Sequence, residues 1–156
     1  MSNNENKSTY PEPFEKLKIF LGTWNVSGEM ITDDIPKSVS GQWIFKEAAD
    51  GYGLKVESQT SIEGFGTFEE NELIGYDSGD MVIHLFSLNK FAVRDHIGNW
   101  TDDHTLYLEY NGNFDGKACR EVITITIIED KMGSKIIETL DDVQTVLTNL
   151  TLVRHK

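Results

Sequence analysis

Turn-forming residues recur at short intervals along this chain from residue 22 onward, and this punctuation constrains the fold more than any other feature. Nine clusters rich in Gly, Asn, Asp and Ser separate ten short segments rich in Val, Ile, Thr, Tyr, Phe and Trp, the composition typical of β-strands. The clusters lie at residues 32–34, 50–51, 64–66, 77–80, 89–90, 98–103, 111–116, 130–133 and 141–142. None of the segments has a helix-length stretch of 3.6-residue periodicity, so parallel βαβ units are not expected.

Alternation of side chains supports the strand prediction, because successive residues of a strand point to opposite faces. From Leu54 to Ile62 the even-numbered residues would share one face, and odd-numbered residues such as Lys55 and Glu57 the other. Residues 123–127 alternate isoleucine with threonine in the same way. The last strand, within residues 146–153, is apolar on both faces, so we expect the N-terminal helix or another subunit to cover it.

A closed antiparallel barrel best suits ten consecutive strands joined by short turns. An open meander of this length would leave two exposed edges, and closure removes them. Such a barrel is wide enough to hold a small ligand, since eight strands already leave that room in some folds. The apolar stripe in residues 14–21 predicts a short helix that ends at Gly22, after a mobile polar tail over residues 1–13. We therefore expect an all-β, up-and-down barrel of about ten strands as a single domain over residues 14–156.

Composition argues against several classes of protein. The chain carries 26 acidic and 14 basic residues, a formal net charge of −12, which disfavours binding to nucleic acid or to anionic membranes. Cys119 is the single cysteine, so no intrachain disulfide can form. Residues 1–8 lack the apolar core of a signal peptide, and no apolar run is long enough to span a bilayer. These features predict a cytoplasmic protein, and they are compatible with a homodimer.

A short glycine–tryptophan motif carries a family resemblance. Gly22-Thr23-Trp24 follows the predicted helix and opens the first strand, and it resembles the Gly-x-Trp signature of calycin-type barrels, which include lipocalins, fatty-acid-binding proteins and nitrobindin-like proteins. Together with 75–77 (Gly-Tyr-Asp) and 97–100 (Ile-Gly-Asn-Trp), the motif most resembles the DUF1579 group of uncharacterised, lipocalin-like bacterial proteins. The resemblance implies a barrel fold and a lumen for small molecules, but no specific activity.

The resemblance also implies roles for single residues. In lipocalins the tryptophan of the motif packs at the closed end of the barrel under an arginine from the last strand. Here Arg154 would be that arginine and would pack on the ring of Trp24. The alternative is that Trp24 caps the ligand cavity. Val26 breaks the longer glycine pattern of nitrobindin-like proteins, and His155 lies next to the end of the chain. We therefore expect no haem.

The hairpin around residues 89–90 offers the sharpest candidate site. A two-residue turn there would place His84 opposite Asp95, on the more apolar face of the two strands. An aspartate beside a histidine orients the ring and raises its basicity, so the pair could act as a general base or bind the polar end of a ligand. A buried pair that fixes the strand register is the alternative. A three-residue turn would instead pair His84 with His96.

The opposite face of the same strands carries Tyr76, Arg94 and His96, with Glu72 nearby. If that face were the lumen, Arg94 would anchor a carboxylate or phosphate ligand. Because the face holds more charge, we expect it to be exposed to solvent. The candidate ligand-binding residues are thus Trp24, Trp43, Tyr76, His84, Arg94 and Asp95, with His84 and Asp95 also the catalytic candidates.

Searches for other chemistry give nothing specific. The sequence has no glycine-rich phosphate loop, no spaced metal motif among its four histidines and Cys119, and no nucleophile elbow. We therefore expect no cofactor and no metal. The leading hypothesis is a barrel that binds a small apolar or amphipathic molecule in its lumen. The alternatives are an isomerase or hydrolase that uses the His84–Asp95 pair, and a filled barrel that acts through its surface.

Overall fold

The computed structural model describes residues 12–156, which form one closed barrel of ten antiparallel strands. A short helix, α1 (Glu12–Leu17), and a 3-10 turn (Lys18–Phe20) precede the barrel. The strands are β1 (Gly22–Thr32), β2 (Ile35–Ala48), β3 (Gly53–Ile62), β4 (Gly66–Asp77), β5 (Val82–Asn89), β6 (Val93–Trp100), β7 (Thr105–Phe114), β8 (Lys117–Ile128), β9 (Lys131–Leu140) and β10 (Val143–Arg154). Each strand pairs with the next, and β1 pairs with β10, which confirms the predicted up-and-down closed barrel.

Paired acidic residues form two of the tight hairpins. Asp33 and Asp34 join β1 to β2 with φ of 52° and 60°, and Asp141 and Asp142 join β9 to β10 with φ of 48° and 65°. Left-handed φ at both central residues is the geometry of type I′ turns, whose twist matches that of the flanking strands, and Asp tolerates it better than most residues. The sequence therefore predicted these two turns correctly.

Three of the predicted turn regions were too wide, because glycines that suggested turns lie inside strands. Gly98 belongs to β6, and a Cβ atom at this position would lie 1.9 Å from the carbonyl oxygen of Tyr107 on β7. The glycine therefore permits close approach of two strands rather than a change of direction. Similarly, β7 extends to Phe114 and β9 already begins at Lys131.

The N-terminal helix closes one end of the barrel. It begins at Glu12, two residues before the expected start, and the rest of the predicted tail, residues 1–11, lies outside the described residues. Phe14, Leu17 and Phe20 are buried against the core at this end, which we call the closed end. The helix does not cover the outer face of β10, where Val153 is 44% exposed, so the first of the two expected covers was wrong and a second subunit stays a prediction. Within residues 12–156, no helix is long and apolar enough to cross a membrane.

Arg154 covers Trp24 at the closed end, as the family resemblance implied. The guanidinium carbon of Arg154 lies 4.2 Å from the centroid of the Trp24 ring, and Trp24 is fully buried. Arg154 also donates from Nε to Asp130 at 2.8 Å and from Nη2 to the carbonyl oxygen of Ile19 at 2.9 Å. The indole Nε1–H donates to the carbonyl oxygen of Phe20 at 2.8 Å, so both polar groups of this stack are satisfied.

The interior is divided between a solid half and a hollow half. Towards the closed end, side chains such as Leu54, Val56, Leu108 and Leu152 fill the barrel and are at most 1% exposed. The even-numbered residues of β3 face inward, as their alternation predicted. Towards the opposite end the lumen is open, and that half holds the candidate site.

Candidate ligand-binding site

A cavity of about 410 Å³ occupies the open half of the barrel. Its size falls in the range of small-molecule sites in proteins. Part of its wall, from β1, β2, β9 and β10, is mainly apolar, with Met30, Val39, Trp43, Ile136 and Val146 among its side chains. The indole Nε1–H of Trp43 donates to Thr60 Oγ1 at 3.2 Å, so this ring is held in a fixed position at the cavity wall.

Phenylalanines surround the mouth of the cavity. Phe65, Phe91 and Phe114 come from three hairpins at the open end and are 48%, 53% and 38% exposed. The rings of Phe68 and Phe91 meet edge to face, with their centroids 5.4 Å apart. Exposed aromatic rings at the entrance of a cavity offer contact area to an apolar ligand at little conformational cost.

An ion-pair network forms the polar wall, and Arg94 lies at its centre. Arg94 Nη2 donates to Glu138 Oε2 at 2.8 Å, and Nη1 donates to Glu121. The guanidinium carbon also lies 5.4 Å from the ring centroid of Tyr110. Burial favours the neutral form of Arg94, but the charges of Glu121 and Glu138 outweigh it and raise the pKa of the guanidinium further. Arg94 is therefore charged, and both of its terminal nitrogens are already engaged.

His96 extends this network and leaves one atom unsatisfied. Its Nε2 lies 2.7 Å from Glu121 Oε1, and because an ionised carboxylate can only accept, Nε2 carries the hydrogen. Nδ1 has no hydrogen-bond partner; within residues 12–156 it is the one buried side-chain polar atom in this condition. His96 is 1% exposed, and leaving a buried polar atom unpaired costs roughly 1–3 kcal/mol. A ligand that pairs with Nδ1 would recover that cost.

Two further glutamates, Glu70 and Glu72, face the lumen from β4. Burial raises the pKa of Glu72 well above its usual range, and the neighbouring charges of Glu70 and Glu121 raise it further. Burial also raises the pKa of Glu70, although its hydrogen bond from Asn89 acts in the opposite direction. Each of the two carboxyl groups affects the pKa of the other, so the pair titrates as one unit rather than as two separate groups.

The predicted pair of His84 and Asp95 forms, but on the outside of the barrel. His84 Nδ1 lies 3.0 Å and 3.1 Å from the two carboxylate oxygens of Asp95, and the side chains are 34% and 43% exposed. The turn is longer than two residues, so Leu88 pairs with Val93 and His84 meets Asp95 diagonally. The expected luminal position of the pair is therefore wrong.

The orientation of these strands follows from their neighbours rather than from local apolarity. Once Ile74 of β4 faces the core, its register partner Leu85 on β5 must do the same, and so must His96 opposite Leu85 on β6. Arg94 is consequently inside, with its side chain 11% exposed, and the expectation that its face would be solvated was wrong. The charges are tolerated inside because Arg94 and Glu121 neutralise each other.

The remaining candidates divide between cavity and core. Trp43 and Arg94 line the cavity. Trp24 lies at the closed end under Arg154, and Tyr76 packs against the core as a partly buried side chain away from the cavity. Sequence reasoning assigned no role to Glu70, Glu121 and Glu138. The sequence pattern that could have revealed them is an acidic residue in register with the inward-facing residues of an alternating strand. Glu121, two residues before the inward-facing Ile123, is an example.

Among residues 12–156, no group of three or more His, Cys, Asp and Glu side chains is arranged to hold a metal ion.

Comparisons with known proteins support the fold. No model of a protein family matches the chain, and no curated protein sequence matches it. The S-type phycobiliprotein lyase CPES from Guillardia theta is similar in structure, with a TM-score of 0.62 and 16% identity over 92% of this chain and 90% of that chain. This likeness shows the fold alone, a closed antiparallel β-barrel. The redesigned β-barrel mFAP1, solved bound to DFHBI, is 18% identical over 92% of this chain and 100% of its own, with a TM-score of 0.46.

Proposed function

We propose that this protein binds a small amphipathic molecule in the open half of its barrel. The observation that carries the proposal is a cavity of about 410 Å³ with an apolar wall on one side and a buried ion-pair network on the other. The apolar body of the ligand lies against Trp43, Val39 and Val146. Its polar end lies at the glutamates and His96.

Physical chemistry supports binding in this arrangement. Each Å² of apolar ligand surface removed from water contributes about 25 cal/mol to the free energy of binding, and contact with the apolar wall removes that surface from water. The side chains of the polar wall are held in position by one another, as Arg94 is by Glu121 and Glu138, so little conformational entropy is lost when a ligand meets them. The cavity thus combines a general hydrophobic attraction with a fixed set of polar groups that orient the ligand.

The two alternative functions fit less well. Catalysis by His84 and Asp95 lacks an enclosed site, because the pair lies on the outer surface with its side chains 34% and 43% exposed. A barrel that acts only through its surface would have a filled interior, and the cavity argues against that. We therefore favour binding over catalysis.

We further propose that the chain belongs to the DUF1579 group and works in the cytoplasm. The motif residues Gly22, Trp24 and Trp100 support the first proposal. The single cysteine, Cys119, is buried and unpaired, which suits a reducing compartment.

A lumen-filling substitution tests the proposed function. Thr148 lines the cavity from β10, whereas Thr151 on the same strand points outward and is exposed. The uncharged dye Nile red should bind the purified protein saturably, with a blue shift of its emission. Thr148→Trp should weaken this binding at least about tenfold, or ~1.4 kcal/mol. Val146→Trp serves as a second filling variant.

The matched control separates the lumen from the outer surface. Thr151→Trp adds the same ring outside the barrel and should leave dye binding unchanged. If both luminal tryptophan variants bind the dye as the wild type does, the dye occupies the outer surface, and luminal binding is wrong.

A further inference from the structure

We propose that the polar end of the luminal ligand is a cation or a strong hydrogen-bond donor, such as an alkyl amine or amidine, bound by Glu70, Glu72 and Nδ1 of His96. The lumen would correspondingly disfavour carboxylates and phosphates. This inference rests on the proposed function, since it names the chemical class of the ligand for the same cavity. It also reverses the role that the sequence alone suggested for Arg94.

The positive charge of Arg94 is already compensated by two carboxylates. Its Nη2 is held by Glu138 at 2.8 Å and its Nη1 by Glu121, and the side chain is 11% exposed. A ligand carboxylate would either displace one of these glutamates or add a third negative charge beside the one guanidinium. Displacement would leave a buried charge without its partner, and a third carboxylate would meet the charges of both glutamates, so either arrangement is unfavourable.

The lumen holds more acidic than basic side chains. Four glutamates face it, whereas Arg94 is the one arginine or lysine among the described side chains that line the cavity. Glu121 and Glu138 are paired with Arg94, which leaves the Glu70–Glu72 pair without a cation. A bound ammonium or amidinium group would supply that missing charge and favour the ionised form of both carboxyl groups.

His96 holds a buried nitrogen without a hydrogen-bond partner. His96 lines the same cavity, and its Nε2–H is committed to Glu121 at 2.7 Å. In the neutral ring, Nδ1 is then a lone-pair acceptor, and it is buried with no partner. An acceptor in that position needs an N–H or O–H donor, which an amine supplies and an ionised carboxylate does not.

Cross-strand pairing places these groups along one polar wall. Glu72 is opposite Ser87, and Ser87 is opposite Arg94. Glu121 lies close enough to both Glu70 and Glu72 to raise their pKa values, and it also contacts His96 Nε2 at 2.7 Å. One small cationic group at this wall therefore meets the carboxylates and the imidazole together.

Three amphiphiles of equal chain length test the ligand class. Decylamine, decan-1-ol and decanoate are titrated, below their aggregation concentrations and at neutral pH, against protein-bound Nile red. We expect decylamine to displace the dye at a concentration at least tenfold lower than decanoate, with the alcohol between them. Decanoate that binds as tightly as decylamine, or more tightly, would overturn the inference.

Neutral substitutions locate the effect. Glu72→Gln and Glu70→Gln keep the size of each side chain and one acceptor oxygen but remove the charge. Each should weaken decylamine binding at least fivefold while changing decanol binding less than twofold. Glu69→Gln removes an outward-facing charge from the same strand, β4, and should change neither. If both inward variants bind decylamine as the wild type does, the inference is wrong.

The two proposals fail in different ways. If Nile red and all three amphiphiles fail to bind, or bind equally to Thr148→Trp, luminal binding itself is wrong and the ligand class falls with it. If the dye binds in the lumen but charge makes no difference, only the ligand class is wrong.

Discussion

The guanidinium carbon of Arg154, on the last strand, lies 4.2 Å from the ring centroid of Trp24, on the first strand. The two residues are direct register partners where β1 and β10 close the barrel. Arg154 additionally donates to backbone carbonyl groups of the segment that follows α1. One side chain therefore links the β1–β10 pairing to the N-terminal segment that closes this end of the barrel. This relationship makes the closed end a structural unit, separate from the cavity at the open end.

We predict that Trp24→Ala lowers stability far more than it changes ligand binding. Truncating a buried tryptophan typically costs about 3–5 kcal/mol through lost burial and a residual cavity. Trp43→Ala is the matched variant, because Trp43 lines the ligand cavity and should affect Nile red binding more strongly. Denaturant unfolding and dye titration of both variants measure the two effects.

If Trp24→Ala unfolds at the wild-type denaturant midpoint, the structural role of the stack is wrong. Arg154→Lys provides a milder version should the alanine variant not fold. It keeps the charge but loses the planar group over the indole, so it should also be less stable than the wild type.

The closed end and the hairpin around residues 89–92 show what the sequence could and could not predict. The Trp24–Arg154 stack was implied by the resemblance of a short motif on the first strand to that of calycin-type barrels. The inward face of β5 and β6 did not follow from alternation within these strands, because pairing with β4 sets it and the luminal partners of Arg94 are distant in sequence. Arg94 bonds to residues 27 and 44 positions away, Glu121 and Glu138, and no local pattern reports such pairs.

The register of the same hairpin depended on the length of its turn. The sequence predicts a two-residue turn at 89–90, whereas Asn89 Oδ1 accepts hydrogen bonds from the backbone N–H groups of Phe91 and Ala92 and lengthens the turn. Asparagine side chains form such turns readily, but the sequence does not show whether this one will. The register therefore differs from the predicted one by two positions. Because side chains alternate between faces with a period of two, His84 and Asp95 remain on one face and in contact.

We predict that His84→Gln leaves ligand binding unchanged. The side chain is 34% exposed and lies on the outer face of β5, so its pairing with Asp95 contributes less than about 1 kcal/mol to stability. His96→Gln is the matched luminal variant and should alter decylamine binding. Weaker binding of Nile red or decylamine by His84→Gln would contradict the placement of the cavity.

We predict that Glu72 makes the protein less stable as pH rises. Because the pKa of Glu72 is raised in the folded state, the native protein holds a proton that the unfolded chain releases near the ordinary glutamate pKa of 4.5. Stability from this group is therefore present below about pH 4.5 and is lost as pH rises through the folded pKa. Glu72→Gln should remove that loss and be more stable than the wild type at high pH.

Urea unfolding over a pH series measures this effect, with Glu69→Gln on the outer face as the control. The titratable groups that share the interior with Glu72 are Glu70, Arg94, His96, Tyr110, Cys119, Glu121 and Glu138. Parallel pH profiles for the wild type and Glu72→Gln would show that the carboxyl group is not desolvated as described.

We predict the opposite pH dependence for Glu109 on β7. Hydrogen bonds from Arg120, first of all, and from Asn111 and Tyr107 lower the pKa of Glu109 to about 2. Its stabilisation is therefore present above the ordinary glutamate pKa of 4.5 and is lost as pH falls towards 2. Because the side chain is 27% exposed and Arg120 is 50% exposed, we expect Glu109→Gln to cost less than about 1 kcal/mol at neutral pH. If the urea midpoints of the wild type and Glu109→Gln differ more at pH 3 than at pH 7, this assignment is wrong.

A crystal structure of the protein with decylamine tests luminal binding most directly. We predict density for the alkyl chain against Trp43 and Val146, with the amine nitrogen within hydrogen-bond distance of Glu70 or Glu72 and of His96 Nδ1. Density for the amine on the outer face near Phe86 and Leu88, with an empty or collapsed lumen, would contradict it.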